Sequence, residues 1–267
     1  MGEWRKALIL LMLLVFIVGL GILLYPYLWG ATMDHRIQKE AQAFLENVEN
    51  QPVNPQKLTP EIMEPEGTER APYPDLLEAM ECYNRQIWEA KQSGLCDPWS
   101  YKQPSFQLRD YGIPDEVFGV ISIPRLELEM PIYLGATYQH MADGAAHLSQ
   151  TSLPIGGKNT NCVIAGHRGW GGASYFRYIT RLEAGDEIII TNLWGKLRYV
   201  VTETRVIAPH EVKEILIQED RELLTLLTCH PYASGGKYRY VVYCERIQEK
   251  EVSCANINSY ESSSFSV

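Results

Sequence analysis

The chain has 267 residues, with 24 Lys and Arg against 33 Asp and Glu, for a formal charge of −9. With 46% hydrophobic and 21% charged residues, its composition excludes a disordered or collagen-like chain. The acidic balance and the lack of a basic run exclude nucleic acid as the main partner, since phosphate binding rests on clustered Lys and Arg.

From Ala7 to Met33 there is no charged side chain, and Ala7 to Trp29 is almost wholly apolar. As a helix this stretch reaches about 34 Å, enough to cross a hydrocarbon core of about 30 Å. A secretory signal has a shorter apolar stretch, and Gly30-Ala31 offers only a weak cleavage site. Arg5 and Lys6 precede the span, which places the N-terminus inside and the remaining chain outside; Glu3, Arg36 and Lys39 pull mildly the other way. Tyr25, Tyr27 and Trp29 then form the outer interfacial belt.

Beyond the span, Ile37, Ala41, Phe44, Leu45 and Val48 recur at helical spacing, which predicts a helix over residues 34–50. Six prolines between Pro52 and Pro74 make the next stretch a linker or extended wrap. Asp75 is expected to cap a second helix over about residues 76–92, ended by Gly94. Residues 96–111 read as an irregular loop. From Val117 the pattern turns to seven short β-rich runs: VFGVISIP, LEMPIYLG, NCVIAGH, DEIIITN, LRYVVTETRVI, LLTLLTC and YRYVVYCERI. Seven such runs in this length suggest a closed or nearly closed barrel or a sandwich. The expected division is an anchor over 1–33, a helical and Pro-rich extension over 34–115, a β-domain over 116–250 and a polar tail over 251–267.

Six cysteines stand at 82, 96, 162, 229, 244 and 254. Cys82 and Cys96 are the pair best placed for a disulfide. No CxxC and no Cys/His cluster with zinc-ligand spacing occurs, so no metal and no cofactor is expected. Two runs end in a reactive side chain followed by turn-forming residues. His167 closes NCVIAGH before a glycine-rich loop, and Cys229 closes LLTLLTC before Pro231 and Gly235-Gly236. Strand ends leading into loops are where a rigid scaffold presents catalytic groups. A strand cysteine is more commonly a small buried hydrophobe, so the pattern alone leaves both readings open. His230 adjoins Cys229, but successive strand residues point to opposite faces, so it is not the expected base.

TLLTC (Thr225 to Cys229) resembles the TLxTC signature of sortases, the membrane-anchored cysteine transpeptidases of Gram-positive cell surfaces. His167 in AGHRG before it and Arg239 in YRYVVYCER after it follow that family's His–Cys–Arg order. The likeness runs on through GVISIPRLELEMPIYLG, HLSQTSLPIGG and LEAGDEIIITNL, covers about residues 75–250, and is greatest to the class C, pilin-polymerising sortases. It implies a mainly β fold: an eight-stranded β-barrel, here with N-terminal helices and one N-terminal transmembrane helix. Two departures stand out. Arg239 lies ten residues after Cys229, where class C relatives have nine; an extra residue in the ASGGK loop would absorb this, and Arg246 falls too far along the strand. Many class C members also carry a C-terminal membrane segment, whereas this chain ends in a polar tail, so one anchor is expected to suffice.

The resemblance implies Cys229 as nucleophile on the Thr–Gly bond of an LPxTG-like sorting signal and His167 as general acid and base. Arg239 becomes the donor to the oxyanion or substrate backbone, and Thr228 a positioning residue. The partners implied are pilin subunits that carry the motif and an acceptor lysine. Asp97-Pro98-Trp99 is similar to the Asp-Pro-aromatic lid of class C members, with Asp97 facing the Arg and Trp99 covering the thiol. The alternatives are a housekeeping sortase using a cell-wall amine and a non-catalytic, membrane-anchored scaffold domain.

Overall fold

The structure, a computed structural model, describes residues 2–50, 71–93, 95 and 106–247. Helix α1 (Glu3–Asn50) unites the apolar span and the expected helix over 34–50 in one rod. The change at the span's end is one of face, not conformation: Pro26 is the only proline, and nothing after it interrupts the hydrogen-bond ladder. Side chains from Leu8 to Leu28 are exposed all round, as an apolar helix in lipid would present them. Among the described residues α1 is the one helix long and apolar enough to cross a membrane. Further along, Ile37, Ala41 and Phe44 form a stripe buried against the barrel.

Helix α2 (Pro74–Glu89) packs Leu76 and Met80 beside Ala41 and Phe44 of α1 and Val117, Phe118 and Trp194 of the barrel. Asp75 is not its cap: Tyr73 holds that position with no side-chain cap bond, Pro74 opens the helix, and Asp75 lies in the first turn, where its charge favours the dipole. Asn84 ties α2 down by accepting from the Leu153 amide at 2.7 Å and donating to the Leu153 carbonyl at 3.4 Å.

The strands are β1 (Val117–Ile123), β2 (Leu128–Leu134), β3 (Ala145–His147), β4 (Thr160–Ala165), β5 (Glu187–Asn192), β6 (Gly195–Ile207), β7 (Glu222–His230) and β8 (Tyr238–Arg246), with a short α3 (Tyr138–Asp143) before β3. They close a barrel in the order β1-β2-β3-β4-β7-β8-β6-β5. The β2/β3 and β4/β7 pairs are parallel and the others antiparallel. The seven β-rich runs are all strands; β3 is the eighth, and three residues are too few to show a period. Leu224 and Leu226 of β7 point into the barrel with Ile121, Ile132, Ile164 and Val242. Leu227 packs on the other face with Val163, Ile215 and Val241. Burial on both faces explains why this strand reads as an unbroken apolar run.

Candidate active site

The parallel neighbours β4 and β7 set the site. Ala165 pairs with Leu227, and the Gly166 amide donates to the Leu227 carbonyl at 3.0 Å. His167 and Cys229 therefore leave the barrel at the same end. Thr228, wholly buried, donates its hydroxyl to the Gly166 carbonyl at 2.7 Å and so ties the two strands just below that rim. Gly166 has no alternative residue: a Cβ there would lie 2.6 Å from the Phe176 ring.

Cys229 is half-buried and faces Arg239 across the β7/β8 ladder. Both side chains reach the same glycine of the following turn. A Cβ built on Gly236 would stand 3.3 Å from Cys229 Sγ and 3.0 Å from Arg239 Nη1. Arg239 Nη1 donates to the carbonyls of Gly236 at 2.6 Å and Tyr238 at 3.2 Å, which fixes the guanidinium beside the thiol. The extra residue in that turn does not displace Arg239 from the thiol's level, because the register pairs the two directly.

The His167 carbonyl accepts from the Phe176 amide at 2.9 Å, closing the loop between them. Its imidazole lies between Trp170, at 5.6 Å between ring centres, and Tyr175, edge-on at 5.7 Å. Burial lowers its pKa from the usual histidine value. His230 turns away from the thiol, as strand alternation requires, toward Arg168 and the Tyr240 ring. Burial first, and the Arg168 charge second, lower the His230 pKa.

Arg168 was not marked by any sequence pattern. Its Nη1 donates to the Cys229 carbonyl at 3.4 Å and meets His230 Nδ1 at 3.2 Å. A cation is thus held against the carbonyl of the Cys229 peptide. Desolvation lowers the Arg168 pKa, while Tyr240 and Cys229 raise it. Asp97, Trp99 and Cys96 lie outside the described residues. Cys82 is exposed, and Cys162 and Cys244 are buried thiols whose pKa values burial pushes up. Among the described residues no three His, Cys, Asp or Glu side chains gather as a metal site.

A closed mixed barrel that carries a half-buried thiol, its cross-strand arginine and an imidazole on the parallel neighbour has the layout of a cysteine enzyme. The sortase domain model matches residues 121–247. The structure is similar to sortase C1 of Streptococcus agalactiae, with 33% identity, a TM-score of 0.62, and coverage of 69% of this chain and 94% of that one. It is likewise similar to the sortase C1 of GBS pilus island 1, with 29% identity, a TM-score of 0.64, and coverage of 81% and 95%. Among curated proteins, sortase D of Bacillus subtilis is 28% identical over 131 residues, 48% of this chain and 63% of that protein. The chain belongs to the sortase family, whose members are cysteine transpeptidases.

Proposed function

We propose that this protein is a membrane-anchored cysteine transpeptidase that joins LPxTG-like sorting signals to the lysine of a pilin subunit. The observation that carries the reading is the direct cross-strand pairing of Cys229 with Arg239, at the barrel end where β4 delivers His167. Anchoring follows from α1, with the barrel (within residues 116–250) outside the membrane, the extension over 34–115 against it and residues 251–267 as a tail. The pilin reading draws on the sequence likeness to class C sortases and on the similarity to the pilus island 1 sortase C1.

The Cys229 thiolate attacks the Thr carbonyl, and the carbonyl electrons pass to an oxyanion beside Arg239. The His167 imidazolium gives its proton to the departing Gly amine as the Thr–Gly bond breaks, leaving a thioester on Cys229. A neutral lysine amine then attacks the thioester, His167 accepts the amine's proton, and the thiolate is released with an isopeptide bond formed. A thioester conserves the energy of the broken amide and remains reactive toward amines, which suits transfer rather than hydrolysis. Because burial lowers the His167 pKa, the imidazolium is the minor form near neutrality, and the first step uses that minor population.

The test uses the full chain in nanodiscs with an LPxTG-like peptide and, in separate arms, a pilin lysine or a cell-wall amine. The expected products by mass are a Cys229 thioester and then a pilin isopeptide. Transfer only to the cell-wall amine would assign the housekeeping role instead. No thioester with either would sink the enzymatic reading.

A further inference from the structure

The loop that leaves the barrel at His167 and returns at Phe176 is fastened to the anchor helix. Asp34 of α1 accepts from the Ser174 amide at 2.8 Å and from its hydroxyl at 3.2 Å. One turn earlier Gly30 is the first buried residue of α1, and a Cβ there would fall on the Gly172 carbonyl group. Gly172, at φ +92°, in turn has no room for a Cβ against the Pro26 carbonyl oxygen, and a Cβ on Gly171 would stand 3.6 Å from Trp29 Nε1. Helix and loop meet backbone to backbone, which requires glycine on both sides. The same loop supplies Trp170 and Tyr175 against the His167 ring. An unbroken set of contacts thus runs from the anchor to the imidazole.

The height of this junction matters. Pro26 to Gly30 is the last turn of the apolar span, and Tyr25, Tyr27 and Trp29 around it are exposed, as an interfacial belt would be. Next to Gly171, which meets Trp29, the barrel exposes Trp170 (42%), packed edge to face at 6.2 Å with the exposed Tyr138 (65%). Exposed tryptophan and tyrosine on a soluble face are costly in water and favoured at a lipid headgroup boundary.

We propose that Trp170–Ser174 is a membrane-facing clasp: gripped by Pro26–Asp34, it rests in the lipid interface and sets the position of His167. The proposal rests on reading α1 as a membrane anchor. It makes the catalytic rim a surface held against the bilayer rather than one carried on a free stalk, and it makes Asp34 a positioning residue.

The full chain in nanodiscs that contain lipids brominated near the headgroup end of the acyl chain provides the test, read as quenching of tryptophan fluorescence. Trp29→Phe and Trp170→Phe are each expected to remove a quenched component, and Trp88→Phe, on α2, to remove none. If Trp29 is quenched and Trp170 is not, the clasp is overturned while the anchor stands. If neither is quenched, the anchor reading fails and the clasp with it. In the same nanodiscs Asp34→Ala should slow thioester formation about tenfold through kcat with KM little changed, as misplacement of a catalytic group predicts. Asp34→Asn, whose amide oxygen still accepts from Ser174, should recover most of that rate. Gly30→Leu, which pushes helix and loop apart without touching Asp34, should reproduce the kcat loss. Wild-type kcat in both Asp34→Ala and Gly30→Leu would overturn the positioning claim.

Discussion

At the scale of single residues, each group in the proposed mechanism stands where its backbone partner forces it. Register, rather than side-chain flexibility, brings Arg239 to Cys229. Cys229→Ala should therefore abolish the thioester yet leave the unfolding midpoint nearly unchanged, since a half-buried thiol contributes little packing; intact-mass analysis and denaturant titration read the two effects. Arg239→Lys keeps the charge but loses the planar fork, and kcat should fall about 100-fold, the scale of losing an oxyanion donor. Thr228→Val leaves the Gly166 carbonyl without its buried donor. That should cost about 1–2 kcal/mol in unfolding free energy and slow acylation, because the rim beyond the β4/β7 ladder, where Cys229 and His167 leave the barrel, loses one of its ties. A Thr228→Val enzyme with parental stability and rate would remove Thr228 from the site. Cys229 and His167 stand out in the sequence as the ends of apolar runs, a pattern that by itself leaves a structural reading open, and Arg239 is singled out only through the resemblance to sortases. Arg168 was not, since an arginine in a glycine-rich loop looks like any solvated cation until β4 and β7 become neighbours. That adjacency is a long-range fact with no local signature.

At the scale of elements, legibility follows length and period. Seven strands run for six or more residues and show as apolar or β-rich runs in the sequence; β3 has only Ala145, Ala146 and His147, and exists because β2 and β4 offer edges on both sides. The single helix α1 reads as two in the sequence because its hydrophobic pattern changes from all-round to one-sided where it begins to pack on the barrel. Its docking stripe yields a measurable expectation. Phe44 is 5% exposed among Leu76, Met80 and Phe118, so Phe44→Ala should destabilise the barrel by about 3 kcal/mol, seen as a lower urea midpoint. Asp97-Pro98-Trp99, outside the described residues, is proposed as a lid on sequence resemblance alone. If it covers the thiol, Asp97→Ala and Trp99→Ala should each speed alkylation of Cys229 by a small reagent, and unchanged rates in both would argue against it.

At the scale of the whole molecule, the barrel closes around a buried histidine whose titration couples folding to pH. His147 on β3 is 1% exposed, and its Nε2 donates to the Ser152 carbonyl at 3.0 Å, with the Thr151 carbonyl at 3.3 Å. Burial lowers its pKa to about 4, against which the two carbonyls act weakly. The folded state thus stays neutral while an unfolded chain takes up a proton below the ordinary histidine value of about 6.5. A lowered histidine pKa means that its contribution is fully present above that value and is lost as pH falls toward 4. Between neutrality and about pH 4.5 this one group should remove about 2 kcal/mol of stability. His167, also lowered by burial, acts in the same direction. His147→Gln keeps a donor for the Ser152 carbonyl but cannot be protonated in this range. Its urea midpoint should therefore fall less between pH 7 and about pH 4.5 than that of the parent, although the substitution lowers stability at pH 7. Equal acid slopes in the two proteins would place the acid sensitivity in other groups. Strand β3, the one without a sequence signature, is then where acid is expected to loosen the barrel, between β2 and β4.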